Sequence, residues 1–348
     1  MTRYSGLTIW LAILATCFVL SSANGQTTAK YAGEFLNLGA GARSLGMGNA
    51  FVAVATDVTA SYWNPAGLAQ LNYPQFMLMH SSQFSGVVNY DYGAAAVPVG
   101  ERSSLGLTVF RLGVDNIKRT ALRNPDLPLG DVYVDENGQL VRNTPFVSDL
   151  FGSSDYAFYL TYARRSSGRF SYGGNVKFVL RNLDKNSAWG LGFDLGFLFN
   201  PVQQLVVGVN LQDLTTTLLA WDTGRRELIT PTLRAGASYP LEIAAAGGHV
   251  RPALDFVFRF EERQESALAN VGPMSLDLNF GVEYAYRNAV AVRVGASEMG
   301  EFTAGAGLHL PKLHVDYAFL QHDTLGGTHR ISARLTLEQP KFQRKRSE

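Results

Sequence analysis

From Gln75 onward, apolar side chains recur at every second position over long stretches of the chain. In Met274–Tyr286 the even-numbered residues are apolar, and the residues between them are polar or small. Val250–Phe260 and Phe170–Leu180 alternate in the same way. Because successive side chains of a strand point to opposite faces, each stretch has one apolar and one polar face. A period of two sustained over this length excludes an amphipathic helix.

The strands are long for a soluble protein. A tilted strand that crosses a membrane needs about 9–11 residues, whereas soluble strands average about 5–6. Charged residues make up 17% of the chain, compared with about 25% in soluble domains. A soluble β-sandwich also alternates and is the main alternative. Strand length, together with a polar face rich in glycine, serine and charge, favours an all-β transmembrane antiparallel β-barrel.

The alternating stretches and turn residues predict about 14 strands, an even number as in bacterial barrels. The predicted strands begin at Gln75, Val87, Ser103, Asp155, Arg169, Ala188, Gln204, Pro231, Val250, Met274, Ala289, Phe302, Leu313 and His329. The longest connections, Val114–Ser154, Asp213–Thr230 and Glu261–Pro273, all follow odd-numbered strands. With a periplasmic N-terminus they lie outside the cell, which is typical of such barrels. The last strand should pair with the first, because an open edge in lipid leaves backbone groups without partners.

The first residues predict export of the chain. A basic start precedes the apolar run Leu7–Leu20, and small residues lead to a cleavage position before Gln26. This is the pattern of a secretory signal peptide over residues 1–25. The run is shorter than the ~20 residues of a spanning helix, which argues against a membrane anchor. The only cysteine, Cys17, lies in this run, so the mature chain would have no thiol for a disulfide or a nucleophile.

The segment before the strands, residues 26–74, is rich in glycine and alanine and shows no extended alternation. Glycine-rich backbone packs closely, so this segment could fill the lumen of a closed barrel as a hatch. The alternative is an ordinary periplasmic lead-in. The predicted barrel covers residues 75–338. A basic tail, residues 339–348, follows it as either a periplasmic contact or a solvated end.

A family resemblance lies in residues 35–71, FLNLGAGARSLGMGNAFVAVATDVTASYWNPAGLAQL. The segment resembles the start of the PorV/PorQ family, within the FadL-like outer-membrane transporter superfamily, and its most specific parts are Gly41–Gly48 and Trp63–Gly67. The resemblance implies a 14-stranded barrel in the outer membrane of a Gram-negative cell, with an N-terminal hatch in its lumen. It also implies two possible roles. FadL-like members carry hydrophobic small molecules inward, and PorV-like members receive secreted proteins for the type IX secretion system.

The hatch contains the first set of candidate site residues. Asn64 can bond nearby backbone, while Pro65 fixes its own φ and disfavours helix just before it. This motif either anchors a turn of the hatch or gates the lumen. The glycine pairs do not complete a phosphate-binding motif. The candidate hatch and gate residues are Gly46, Gly48, Asn64, Pro65, Ala66 and Gly67.

Charged residues on the inward phase of the strands form the second set. They are Arg251, Asp255, Arg259, Asp277, Glu283, Arg330 and Arg334. Buried charges need partners, so we expect these residues to pair across the lumen or with the hatch. His309 and His314 share the inward phase on neighbouring strands, but no third ligand is evident and no metal site is predicted.

The sequence carries no enzyme signature, since neither GxSxG nor HExxH occurs. We therefore predict no enzyme and no cofactor. A net charge of +1 without a basic cluster argues against a nucleic-acid partner. The leading hypothesis is a PorV/PorQ-type barrel that assists type IX secretion by binding exported proteins or secretion components, with Val114–Ser154 as the recognition loop. The alternative is a FadL-like transporter of hydrophobic small molecules. Outer-membrane lipid is the expected partner of either.

Overall fold

A computed structural model describes residues 32–243, 247–261, 263, 267–322 and 326–344. It shows a closed antiparallel β-barrel of 14 strands, as predicted. The first and last strands pair from Gln75↔Thr336 to Ser82↔His329, which closes the sheet. The predicted signal peptide, residues 1–25, lies outside the described residues, as do the last four residues of the predicted tail.

The barrel strands follow one another around the wall. They are β1 Gln75–Gln83, β2 Val88–Val99, β3 Ser103–Leu122, β4 Pro145–Arg165, β5 Phe170–Leu183, β6 Asn186–Phe199, β7 Val206–Gln212 with Thr217–Trp221, β8 Arg226–Ile229 with Thr232–Ser238, β9 Gly248–Arg259, β10 Met274–Tyr286, β11 Val290–Ala296, β12 Phe302–His309, β13 Leu313–His322 and β14 Gly326–Thr336. Two short strands, Leu241–Ile243 and Ala269–Val271, pair with β9 and β10 respectively. Long connections lie at one end, which we call the outer end, and tight turns at the other, the inner end.

Helices are short. Two α-helices, Ala42–Gly46 and Ala60–Trp63, lie before the barrel. Turns of 3₁₀-helix cover Glu34–Asn37, Pro65–Gln70, Phe84–Gly86, Glu298–Gly300 and Pro340–Phe342. No helix of the described residues is long and apolar enough to cross a membrane.

The wall has an apolar outer face and a buried inner face. In β6, Trp189, Leu191 and Phe193 are exposed on the outside, while Gly190 and Asp194 face inward and are buried. The same two-residue period holds on the other long strands because their side chains alternate across the pleat. The barrel therefore presents a band of apolar side chains suited to lipid.

Residues 32–71, which we call the plug, fill the interior. Trp63 and Phe51 of the plug are buried, with ring centroids 5.8 Å apart. Tyr62 packs against Phe110 of β3 at 5.5 Å, and Phe110 in turn contacts Tyr159 of β4 at 5.2 Å. The core thus lies between plug and wall, so the prediction of a hatch inside the lumen is confirmed and the alternative of a periplasmic lead-in is wrong.

The connection predicted over Val114–Ser154 is mostly strand. β3 continues to Leu122 and β4 begins at Pro145, leaving residues 123–144 as the loop, within which Val132–Val134 pairs with Leu140–Arg142. These strand ends rise above the apolar band, where both faces meet water. An alternating pattern is therefore absent there, and the predicted start of β4, Asp155, is wrong by ten residues, since the strand begins at Pro145.

Candidate functional site

Two ion pairs join the plug to the inner half of the wall. Arg43 donates from Nε and Nη2 to Glu283 of β10 at 2.7 and 2.6 Å. Asp57 accepts a hydrogen bond from Arg334 of β14. Burial raises the pKa of the Asp57 carboxyl, but Arg334 and Arg43 outweigh burial and hold this pKa below its usual value. Arg293 of β11 also donates to Glu283, at 2.7 Å. The plug is thereby tied to the wall by charge-assisted hydrogen bonds.

Asp255 of β9 binds plug backbone rather than a cation. Its Oδ2 accepts hydrogen bonds from the N–H groups of Phe51 and Val52 at 2.7 and 2.8 Å. The carboxylate thus satisfies two backbone donors in a non-helical stretch of the plug, which would otherwise be buried without partners.

The Asn64 motif joins plug to wall at a third place. The buried Asn64 side chain donates to the carbonyls of Val52 and of Phe197 in β6, both at 3.0 Å. Its Oδ1 accepts from the N–H of Ala66 at 3.2 Å, which caps the 3₁₀ turn that Pro65 begins. These contacts make the motif a structural anchor. Its role as a gate stays a prediction.

Glycines in plug and wall allow the two backbones to meet. A Cβ at Gly67 would lie 2.0 Å from the Ala55 carbonyl oxygen, and one at Gly46 would lie 3.0 Å from Gly305 Cα. Gly48 has a φ of +60°, and a Cβ there would lie 2.4 Å from the Ala296 carbonyl oxygen. Such contacts leave no room for a side chain.

Matching glycines lie in the wall, on the inward phase of the strands, and were not among the predicted site residues. A Cβ at Gly196 would lie 2.3 Å from Asn64 Oδ1, at Gly208 2.4 Å from the Val52 carbonyl oxygen, and at Gly281 2.2 Å from the Met47 carbonyl oxygen. Glycine inside a strand weakens it and often marks a close backbone approach. That signal was present in the sequence.

The predicted charges of the outer half also have partners. Arg259 of β9 donates to Asp277 of β10 at 2.5 Å and to Glu298 at 2.6 Å. Arg330 of β14 donates to the plug carbonyl of Leu38 at 2.9 Å. Arg251, in the inner half of β9, is different: it interacts electrostatically with Arg43 and Glu283, and within the described part of the chain its Nε has no hydrogen-bond partner.

The rings of His309 and His314 do approach, with centroids 4.3 Å apart. His314 Nδ1 is 2.7 Å from a guanidinium nitrogen of Arg334, which ties it to the charge network of the inner half. No group of three potential His, Cys, Asp or Glu ligands occurs in the residues that the structure describes.

A buried lysine that was not among the predicted site residues lies between two carboxylates of the neighbouring wall. Lys177 Nζ of β5 is 2.7 Å from both Asp194 of β6 and Asp213, which follows the first part of β7. Lys177 and Asp194 are on the inward phase, so the same criterion that selected the other charges would have found them. The single ammonium group of Lys177 is shared by the two carboxylates at this site of the wall, which faces the plug.

The predicted basic tail makes a defined contact at the inner end. Arg344 is buried and donates from Nε to the Leu71 carbonyl at 2.7 Å and from Nη1 to the Ser103 carbonyl at 2.9 Å. Its guanidinium thus links the end of the plug to the start of β3, and this residue is not a solvated end.

An open cavity of about 220 Å³ lies at the outer end, above the plug. We call it the vestibule. Its floor includes Leu38 and Leu45 of the plug. Its wall includes Phe84, Leu320 and His322 together with the charged side chains of Glu298, Glu301 and Arg330. Two other cavities are much smaller: one of about 30 Å³ lies near the outer connections beside Asp213 and Glu261, and one of about 10 Å³ lies deeper, beside Arg43 and Asp57. The plug therefore occupies most of the space below the vestibule.

Solved structures share this architecture. The Ralstonia pickettii toluene transporter TbuX has a TM-score of 0.55 at 14% identity, with 86% of this chain and 97% of that chain covered. The chain has the fold of FadL-type barrels. The Pseudomonas putida toluene transporter TodX matches with a TM-score of 0.53 at 13% identity, over 86% of this chain and 97% of TodX. A Pseudomonas aeruginosa FadL homologue matches at 0.50 and 11% identity, over 84% and 97% of the two chains.

No protein-family model matches the sequence, and no curated protein does. At these identities the structural likeness shows the fold alone. The FadL-like expectation for the fold is confirmed, whereas membership of the PorV/PorQ family stays a prediction.

Proposed function

We propose that this protein is an outer-membrane transporter that carries hydrophobic small molecules from the vestibule past the plug. The observation that carries the proposal is the position of the vestibule, whose floor is the plug itself. A solute bound there contacts Leu38 and Leu45 of the plug and Leu320 of the wall. Transport by this route requires a displaced plug position that the solute contacts better than this one, because a ligand shifts an equilibrium only by its differential affinity for the two states.

The plug is held to the wall by polar contacts that can be exchanged for contacts with water when the plug is displaced. Arg43, Asp57 and Asn64 make hydrogen bonds and ion pairs to the wall. Because the separated groups can bind water instead, each hydrogen bond to a charged group contributes only about 1.5–3 kcal/mol net. Plug displacement then opens a path along the polar inner wall, while the barrel itself keeps its closed backbone ladder.

The structural neighbours support this substrate class. TbuX and TodX are toluene transporters, and their fold covers most of this chain. We therefore expect small apolar molecules, aromatic hydrocarbons among them, as substrates.

Uptake of labelled toluene by cells whose outer membrane lacks its own hydrocarbon channel tests the proposal. Cells producing the wild-type chain should take up toluene several-fold faster than cells without it. Leu320→Arg places a charge in the vestibule and should reduce uptake to near background. Leu140→Arg, on the exposed outer hairpin, is the matched control and should behave as wild type. Equal uptake with and without the wild-type chain, at matched amounts of folded barrel, would refute the proposal.

Assistance to type IX secretion is the second candidate. The observation that favours it is the resemblance of residues 35–71 to the PorV/PorQ family, and the outer loop 123–144 is the surface that would meet a secreted protein. Deleting the gene in its own host separates the two functions. Secreted proteins that remain in the periplasm, with unchanged hydrocarbon uptake, would favour secretion over transport.

A further inference from the structure

Three polar side chains form a row across the outer face of β1, β2 and β3. His80 Nδ1 lies 2.7 Å from Asp91 Oδ1, and Arg111 Nη1 lies 3.3 Å from Asp91 Oδ2. The backbones pair as His80↔Asp91 and Asp91↔Arg111. Their sequence neighbours Met79, Tyr92 and Phe110 are buried inside the barrel, so these three side chains point outward. We call them the polar row.

The polar row lies at the level of outward aromatic side chains. Arg111 pairs in register with Tyr156 on one side. On the other side, His80 of β1 is in register with Ile331 of β14, and Ile331 is in register with Tyr317 of β13. Aromatic residues of membrane barrels gather at the lipid–water interfaces. The row therefore lies near the outer interface, where charged side chains cost only about 0–1 kcal/mol and where lipid headgroups are found.

An apolar groove runs from the polar row toward the inner end. Gly93 and Ala333 form its floor, and Leu78, Val109 and Ile331 form its sides. The groove and the polar row share one face of the wall, because three groove residues lie two positions from a row residue on the same strand. These are Leu78, Gly93 and Val109. Its volume of about 540 Å³ falls within the range of roughly 300–1,000 Å³ found for small-molecule sites. An acyl chain fits such a groove while its headgroup stays beside the row.

We propose that the polar row and this groove bind an anionic, phosphate-bearing lipid of the surrounding bilayer. Arg111 has five N–H donors, and Asp91 takes part of their capacity, which leaves donors for a phosphate. Arg111 is the permanently charged cation of the row, and a guanidinium forms strong charge-assisted hydrogen bonds with phosphate. The groove opens to the lipid side of the wall, so its occupant comes from the bilayer. The proposal requires only that the barrel spans a membrane, and it does not depend on transport.

Native mass spectrometry of the detergent-solubilised barrel tests the headgroup contact. Phosphatidylglycerol should bind the wild-type protein more tightly than zwitterionic phosphatidylcholine. Arg111→Gln should weaken phosphatidylglycerol binding by about tenfold, since a charge-assisted hydrogen bond is lost. Arg119→Gln is the matched control, because Arg119 lies on the same strand, is similarly exposed at 39% against 37%, and also pairs with carboxylates. An equal loss in both variants, or no loss in Arg111→Gln, would overturn the proposal.

Filling the groove tests the acyl contact separately. A Cβ at Gly93 would meet Val109 Cγ1 at 3.4 Å and Leu78 Cδ2 at 3.6 Å, which are ordinary contacts, so Gly93→Leu should fold. We expect this variant to lose phosphatidylglycerol and phosphatidylcholine together, while Gly168→Leu in an inner turn retains both. Inorganic phosphate should fail to displace the bound lipid. Displacement by inorganic phosphate, or full lipid binding by folded Gly93→Leu, would contradict a lipid site.

Discussion

Arg43 of the plug and Glu283 of the wall form a two-pronged ion pair although 240 positions separate them in the chain. Glu283 also accepts a hydrogen bond from Arg293, so one buried carboxylate links the plug to the neighbouring wall strand β11. Removing this carboxylate is the most direct way to release the inner half of the plug.

We expect Glu283→Gln to loosen the plug. Breaking a buried pair by removing one partner costs about 3–5 kcal/mol, because Arg43 and Arg293 would lose their shared anion. Conductance of the barrel in planar lipid bilayers should rise above that of the wild type. Glu101→Gln, in the exposed turn between β2 and β3, should leave conductance unchanged. If the conductance of Glu283→Gln equals that of the wild type, this ion pair does not hold the plug.

Asp57 predicts a defined pH dependence. Burial raises its pKa, but Arg334 and Arg43 outweigh burial and hold it below the usual value of 3.8. The stabilisation from this ion pair is therefore fully present above the unfolded pKa and is lost as pH falls below that value through the depressed folded pKa. Thermal unfolding of Asp57→Asn in detergent should show a lower midpoint than wild type near about pH 7, with the difference shrinking in acid.

Asp126→Asn, on the exposed outer loop, serves as the control for this experiment and should unfold as wild type throughout. A constant difference between wild type and Asp57→Asn from neutral pH into acid would contradict the proposed electrostatic role of Asp57.

A methyl group on the inner wall should displace the plug. Gly281→Ala would place its Cβ 2.2 Å from the Met47 carbonyl oxygen, and overpacking of this kind costs about 1–3 kcal/mol. We expect faster proteolysis of the plug in the folded barrel. Gly168→Ala, where no atom lies within 4 Å, is the matched control. Equal proteolysis of the two variants would mean that the plug does not approach β10 so closely.

Variants of Asn64 separate its donor role from its capping role. Asn64→Asp keeps the oxygen that caps Ala66 but cannot donate to Val52 and Phe197. Because two buried carbonyls then lose their donor, we expect Asn64→Asp to destabilise the barrel about as much as Asn64→Ala, on the order of 1–3 kcal/mol per unsatisfied group. Denaturant unfolding measures this, with Asn200→Ala in an inner turn as the control. Full stability of Asn64→Asp would leave capping as the only role.

Much of the barrel follows from local sequence. Thirteen of the 14 predicted strand starts lie within a few residues of the observed ones, and five coincide with them: Gln75, Ser103, Met274, Phe302 and Leu313. Alternation encodes which side of the wall each residue faces, so the inward charges were recognisable. The start of β4 was the exception, because a strand with water on both sides needs no alternating pattern.

The glycine-rich composition of the plug was also visible in sequence, and so was the capping potential of Asn64. What the sequence alone determined is the period, the number of strands and the phase of each side chain, since these depend on neighbouring residues. The tertiary structure alone decided which inward groups meet. Arg43 pairs with Glu283, and Asp57 pairs with Arg334. Asp255 accepts hydrogen bonds from backbone N–H groups and not from a cation. Those pairings depend on where closure of the barrel places strands that are distant in the chain, and on the depth at which the plug packs.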